Sequence, residues 1–316
     1  MPVPGDWSEK IKTFHSEWLR NPYAEEYIGD QPFPAFVLTE RAESWDGVLA
    51  WLNELHGSWC FRGQRETSWL LHTSLDRAVK REYSSENSRG YYHLDRDSEG
   101  RELLFRFQRE AHRYLSVLPP DGDLSSWFAL MQHHRVPTRF LDWTESPFVA
   151  IYFALEEEPQ ESEKRSAIWA IDQGWLEKKY REFLQSENAT VESGPVGRAE
   201  YLNSLLGHEE KPIIVRIDAQ RSNERMAAQQ GFFLCKLLHQ ATFNQILMRM
   251  LIKPVVTDWP VVRKLEVGIN HRIDFLKRLR MMNIHRASLF PGLDGFGESL
   301  RLDLEIKVKG DAESAD

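Results

Sequence analysis

Two short stretches of the chain hold most of the residues able to do chemistry. The first is Phe61-Arg62-Gly63-Gln64. An arginine at a strand end followed by glycine presents a guanidinium fork to a phosphate or carboxylate, and the glycine would let backbone approach the ligand. The plainer reading is that Arg62 pairs with a structural carboxylate such as Asp142. The second stretch runs from Gln132 to Pro147 and sets His133, His134, Arg135, Thr138, Arg139, Asp142, Thr144, Glu145 and Ser146 among apolar residues. Adjacent histidines on a helix point about 100° apart, so His133 and His134 do not share one site. A metal centre would need Asp142 or His72 as further ligands, and the spacing matches no metal pattern, so no metal is expected. A hydrolase using His133 and Asp142 lacks a visible Ser or Cys nucleophile motif. Asp142 suits an orienting carboxylate for His133, Thr138 or Arg62, or a partner for backbone amides at the next helix.

The elements that position these stretches follow from hydrophobic spacing and punctuation. Ser44 caps a helix over Trp45–His56, ended by Gly57, and Ser58–Arg62 alternates as a strand. Helices are expected over Ser98–Leu118 and Ser125–Arg135, a strand over Thr138–Asp142, and a helix from Ser146-Pro147 to Glu156, with Ser as cap and Pro at its first position. After an acidic connector, Glu156–Lys164, come a strand at Ser166–Ile171, a helix at Gln173–Gln185 and a strand at Ile213–Ile217. Residues 222–252 read as loop and strands, Asn270–Met282 as an amphipathic helix, and Asp294–Leu304 as a last helix. Residues 81–97 read as a surface loop. Helices and short strands without a βαβα rhythm predict an α+β fold, a mixed short-stranded sheet core with surrounding helices. The expected organisation is an N-terminal arm over 1–43 with a short helix at Trp7–Leu19, one domain over 44–306 with a flexible polar insertion near 186–211, and a disordered tail over 307–316.

Composition sets the outer limits. The chain has 316 residues, 41% hydrophobic and 12% aromatic, enough for a substantial core. Its net charge of −8 gives no global attraction to nucleic acid. The basic stretch from Arg263 to Arg286, with Lys277, Arg278 and Arg280 at its centre, is the candidate RNA- or DNA-contacting segment. It reads equally as a solvated helix face or as an internal partner for the acidic connector. Two cysteines, Cys60 and Cys235, exclude a disulfide scaffold. No signal-peptide core is visible, and the longest apolar stretch, Phe148–Leu155, is far short of the ~20 residues that cross a bilayer, so no membrane association and a cytoplasmic location are expected. Dinucleotide-fold, Walker A and nucleophile-elbow glycine patterns are absent.

The motifs also resemble a family. Phe61-Arg62-Gly63-Gln64, then Gln132-His133-His134-x-x-Pro137-Thr138-Arg139-x-Leu141-Asp142-Trp143-Thr144-x-Ser146-Pro147, then Ala150-x-Tyr152-Phe153-Ala154, are similar to FRG domains. Arg225-x-x-x-Gln229-Gln230-Gly231-x-Phe233 and Leu289-Phe290-Pro291-Gly292-Leu293-Asp294-Gly295 resemble later motifs of that family. The sequence departs from it at His134, in place of glycine, and at Gly292, in place of an acidic residue. A more distant likeness to ADP-ribosyltransferases implies an NAD-dependent transfer to nucleic acid or protein. Under that likeness Arg62, Glu145 and Gln230 carry catalysis. Arg62, Gly63, Gln64, Gln132, His133, Thr138, Arg139, Asp142, Thr144 and Ser146 line the NAD pocket, with Thr144 and Ser146 on the ribose side and Trp143, Tyr152 or Phe61 as aromatic wall. The alternative is a non-catalytic nucleotide- or nucleic-acid-binding module in bacterial or phage defence. Both readings require the two stretches to meet in one pocket.

Overall fold

A computed structural model of the chain describes residues 37–85, 88–93, 96–160, 164–189, 191, 194–208, 211–218, 224–239, 241–252 and 260–313. The expected N-terminal helix at Trp7–Leu19 lies outside these residues. A seven-stranded mixed sheet organises the molecule, in the order β1 (Leu38–Ala42), β9 (Val262–Gly268), β6 (Arg165–Asp172), β2 (Trp59–Gln64), β5 (Phe140–Thr144), β8 (Gly231–Lys236), β7 (Ile214–Ile217). Neighbours run antiparallel except β1 and β9, which are parallel. Helices surround the sheet, as an α+β fold requires. The interior strand β6 shows why the sheet is covered on both sides. Ala167, Trp169 and Ile171 enter one core and Ile168 and Ala170 the other, the period-two alternation of a strand buried on both faces.

One core packs beneath α4 (Leu124–His133), α6 (Gln173–Ser186), α7 (Pro195–His208) and α9 (Phe243–Ile252). The other packs beneath α1 (Trp45–Asn53), α5 (Pro147–Leu155) and α10 (Arg272–Met281). Helix α1 starts where expected, with the Ser44 side chain accepting from Gly47 N–H at 3.1 Å. Helix α5 is apolar nearly all round and correspondingly buried, with Ser146 accepting from Val149 N–H and Pro147 in the first turn. It presses on β2 so closely that a Cβ on Gly63 would stand 2.0 Å from the Ala150 carbonyl oxygen and 2.6 Å from Ala154 N. Gly63 is therefore a packing glycine; the close approach it permits is that of a helix, not of a ligand.

Several expectations are corrected. Residues 38–42, assigned to the arm, form the edge strand β1. Strand β3 (Lys80–Ser85) pairs antiparallel with β4 (Ser88–His93), where polar composition suggested loop. The polar insertion near 186–211 contains α7, whose Leu202, Leu205 and Leu206 enter the core. Phe243–Ile252 is a helix, not strand or loop. The tail over 307–316 is not separate: the last helix, α12 (Leu293–Glu313), runs through most of it. Strand β9 went unread because Arg263, Lys264 and Glu266 disguise it as a charged segment. The remaining helices are α2 (Ser74–Val79), α3 (Arg96–Ala111), α8 (Glu224–Ala228) and α11 (Arg286–Leu289). Among the described residues no helix is long and apolar enough to cross a membrane.

Candidate functional site

Strands β2 and β5 are neighbours but pair only at Phe61 and Thr144. Beyond that point they separate, and Arg62 to Gln64 stay bonded to β6 alone. The Arg62 guanidinium crosses the gap and donates from Nη1 to the Asp142 carbonyl at 2.6 Å. A cleft of about 580 Å³ opens there. Phe61, Arg62, Gly63 and Gln64 line it from one strand, and Asp142, Trp143 and Thr144 from the other. The two stretches, some eighty positions apart in sequence, converge on one cavity.

The floor of the cleft is electrostatically uneven. The Arg62 guanidinium makes that single hydrogen bond among the described residues, and its Nε is sealed from solvent without a partner. Burial pushes the guanidinium down to about 10, against partial relief from Asp142, with Arg77 adding to the depression. Arg225, from α8, reaches the same cleft and stacks 4.3 Å over the Phe290 ring. Burial lowers its pKa too; Asp142 and Glu156 oppose the shift while Arg286 and Arg135 reinforce it. Three carboxylates face these cations: Asp142, Glu156 and Glu157. Glu157 binds Arg65 at 2.6 Å. Glu156 binds Arg286 at 2.6 Å and accepts from the Tyr152 hydroxyl at 3.0 Å. Asp142 is held differently. The Thr138 hydroxyl donates to Gln132 Oε1 at 2.5 Å, and Gln132 Nε2 donates to Asp142 Oδ2 at 2.9 Å. This chain fixes a solvent-facing carboxylate without placing a cation on it. At the rim, Trp69 is 45% exposed, with the Arg65 guanidinium 5.1 Å from its ring centre.

The sequence-derived site residues divide by this geometry. Arg62, Gly63, Gln64, Asp142 and Thr144 line the cleft, and Gln132 and Thr138 orient Asp142 from behind. Gln64 is tied into the core, donating to the Leu70 carbonyl and accepting from Trp169 Nε1 at 2.7 Å. Thr144 donates to the Gln229 carbonyl at 2.7 Å and accepts from Ser146 N–H. Ser146 is a buried helix cap, so the ribose-side role expected of it has no opening to act through. His133 is exposed and is not in the lining; partial desolvation lowers its pKa first, with His134 and Arg225 contributing. Of the aromatic-wall candidates, Trp143 and Phe61 reach the lining and Tyr152 does not.

Three residues are placed away from the cleft. Glu145 forms an ion pair with Arg216 at 2.9 Å and is not in the lining. Gln230 is exposed with φ 47°, and its carbonyl accepts from Glu145 N–H at 3.0 Å; its neighbour Gln229 lines the cleft instead. Arg139 is buried elsewhere, over Phe128 and against His239 and the Leu206 carbonyl. The basic stretch is largely neutralised within the protein. Arg263 binds Glu40 and Glu54, Lys264 binds Glu266, Arg272 binds Glu305, Arg278 binds Asp274, Arg280 binds Asp303 and Arg286 binds Glu156. Arg272 also donates to the Leu155 and Glu156 carbonyls, so part of the stretch does serve the acidic connector. Lys277 is exposed. Among the described residues no group of three or more His, Cys, Asp or Glu is placed to hold a metal.

Sequence reasoning missed Trp69, His72, Arg77, Phe153, Glu156, Glu157 and Arg225 as lining residues. Phe153 and Arg225 carried a signal, as members of the motifs quoted above. A comparison with family models finds an FRG domain over residues 57–163, which spans β2, α5 and all of the cleft lining except Arg225 and Gln229. Comparison with curated proteins and with solved structures finds no match.

Proposed function

The chain is an FRG-domain protein over residues 57–163, and from that premise we propose that the cleft between β2 and β5 is a nucleotide site that takes NAD as an ADP-ribose donor. The observation that carries this reading is Arg62: a cleft guanidinium with a single protein hydrogen bond, an unpartnered Nε and a burial-depressed pKa. An anionic group beside it restores the charge balance that burial disturbs. Arg225, stacked on Phe290 in the same lining, supplies a second positive charge for a pyrophosphate. A volume of about 580 Å³ falls within the usual range for small-molecule sites. Trp69 offers an exposed ring at the rim on which a nucleobase can stack.

NAD supplies an ADP-ribosyl group on a nicotinamide leaving group: the C1′–N bond breaks with its electron pair passing to nicotinamide, and an acceptor oxygen or nitrogen bonds to C1′ and loses a proton. What the chain contributes is electrostatic. Asp142, fixed through Gln132 and Thr138 and free of a direct cation, is the carboxylate suited to face positive charge at the sugar and to take the acceptor's proton. It replaces Glu145 in that role, because Glu145 is engaged by Arg216. Incubation of the protein with NAD and mixed protein and nucleic-acid acceptors should release nicotinamide, and Asp142→Asn should slow release by about 100-fold or more while leaving ADP binding intact. ADP binding without nicotinamide release from any acceptor pool would favour the non-catalytic binding module.

A further inference from the structure

Four guanidinium groups reach the lining of the β2–β5 cleft, from Arg62, Arg65, Arg77 and Arg225. Arg65 is neutralised by Glu157 at 2.6 Å, and Glu156 is taken by Arg286 from outside the lining. The third lining carboxylate, Asp142, is held by the Gln132 amide. Among the described residues, Arg62, Arg77 and Arg225 therefore have no carboxylate in ion-pair contact. Arg62 donates to the Asp142 carbonyl, Arg77 donates to the His72 carbonyl at 2.6 Å, and Arg225 lies over the Phe290 ring. An NAD molecule occupies only two of these three cations. Its pyrophosphate carries one negative charge on each phosphorus, which Arg62 and Arg225 take, and Asp142 faces the sugar to be transferred. NAD has no further anion for Arg77.

The place of Arg77 in the lining shows which end of the ligand it serves. Trp69, His72 and Arg77 all enter the cleft from one stretch, the β2–α2 connection and α2 itself. Trp69 is the ring offered to the nucleobase, so Arg77 belongs to the adenosine half. Arg77 is exposed, and its charge adds to the depression of the Arg62 pKa. An anion beside Arg77 relieves that repulsion without the cost of burying a new cation. We propose that the cleft binds an adenosine whose ribose carries a 2′-phosphate held by Arg77, so that the donor is NADP rather than NAD. This inference rests on the nucleotide reading of the cleft and names the form of the dinucleotide. An arginine beside the adenosine ribose accommodates a 2′-phosphate, where a carboxylate would bond a free 2′-hydroxyl. The carboxylate on the Trp69 side is already committed: Glu157 binds Arg65, whose guanidinium lies 5.1 Å from the Trp69 ring centre.

The test is isothermal titration of the full-length chain with ADP, 2′-phospho-ADP and ATP. The last two ligands have the same number of phosphates and nearly the same charge, so they differ in where the third phosphate stands. 2′-Phospho-ADP should bind roughly 10-fold or more tightly than ADP, the worth of one charge-assisted contact, and more tightly than ATP. Arg77→Ala should bring the ratio of the 2′-phospho-ADP and ADP affinities close to one, and Arg77→Lys should keep part of the preference. Equal affinity of the parent protein for ADP and 2′-phospho-ADP overturns this inference and leaves the nucleotide reading standing. So does a gain with ATP that matches the gain with 2′-phospho-ADP, or a preference that survives Arg77→Ala. Failure of all three ligands to bind removes the nucleotide reading itself, and this inference with it.

Discussion

Gly63→Ala gives the sharpest structural prediction, because the space it needs is occupied by backbone. The added Cβ would lie 2.0 Å from the Ala150 carbonyl oxygen and 2.6 Å from Ala154 N. Neither atom belongs to a flexible side chain, so relief requires α5 to lift from β2 or β2 to bend. Overpacking a well-filled core typically costs 1–3 kcal/mol, and a rigid obstacle on two sides puts this case at about 3 kcal/mol or more. At about 2–4 °C per kcal/mol, thermal unfolding should fall by roughly 6–12 °C. The same displacement alters the β2–β5 gap, so ADP affinity should fall even where the variant remains folded. Gly57→Ala is the control. Gly57 has φ 91° but nothing within 4 Å of an added Cβ, so it bears only backbone strain of about 1–2 kcal/mol and should leave ADP affinity unchanged. Differential scanning calorimetry and isothermal titration read both quantities. A Gly63→Ala protein melting within a degree of the parent, with normal ADP affinity, would refute the packing account.

Other perturbations probe separate parts of the structure. Trp69→Ala should weaken ADP by about 5- to 150-fold, the 1–3 kcal/mol of one base stack, yet leave inorganic pyrophosphate unaffected. Equal losses for both ligands would mean that Trp69 acts through the fold rather than on a base. His133 should be neutral at pH 7, since its pKa is lowered chiefly by burial. Protonation below the ordinary histidine range would add positive charge near Arg225, so anion affinity should rise as pH falls through that range. His133→Ala should flatten the rise, whereas a profile unchanged by this substitution would refute the assignment to His133. Asp76→Ala should destabilise the protein by about 3–5 kcal/mol in denaturant titrations, because it strips the carboxylate 2.9 Å from the fully buried Lys236 ammonium. Glu145→Gln should leave nicotinamide release near the parental rate, as its partner is Arg216 outside the cleft.

The meeting of Arg62 with Asp142 was legible in sequence because both stretches combine strand-like alternation with polar residues that a simple core has no use for. The capped helices α1 and α5 were legible for a local reason, a serine followed by helical apolar spacing. Hidden features have identifiable physical causes. Strand β9 carries Arg263, Lys264 and Glu266, which look solvated until Glu40, Glu54 and Thr67 arrive from elsewhere to neutralise or bond them. Helix α9 was masked by Asn244 and Gln245, both buried. Asn244 accepts from Leu71 N–H, and Gln245 accepts from Thr242 N–H. Glu145 looked suitable because it adjoins the right residues, but it lies just past the end of β5, where the chain turns it toward Arg216. Trp69, Glu156 and Arg225 enter the cleft from the β2–α2 connection, the end of α5 and helix α8, and no local pattern announces such a meeting.

Binding of ADP to the Arg62→Ala protein tests the central claim most directly. Removing this guanidinium takes away a charge-assisted contact of about 1.5–3 kcal/mol. The cleft account predicts a loss of roughly 10- to 150-fold in isothermal titration, for pyrophosphate as much as for ADP. Parental affinity for both ligands in a correctly folded Arg62→Ala protein would contradict it.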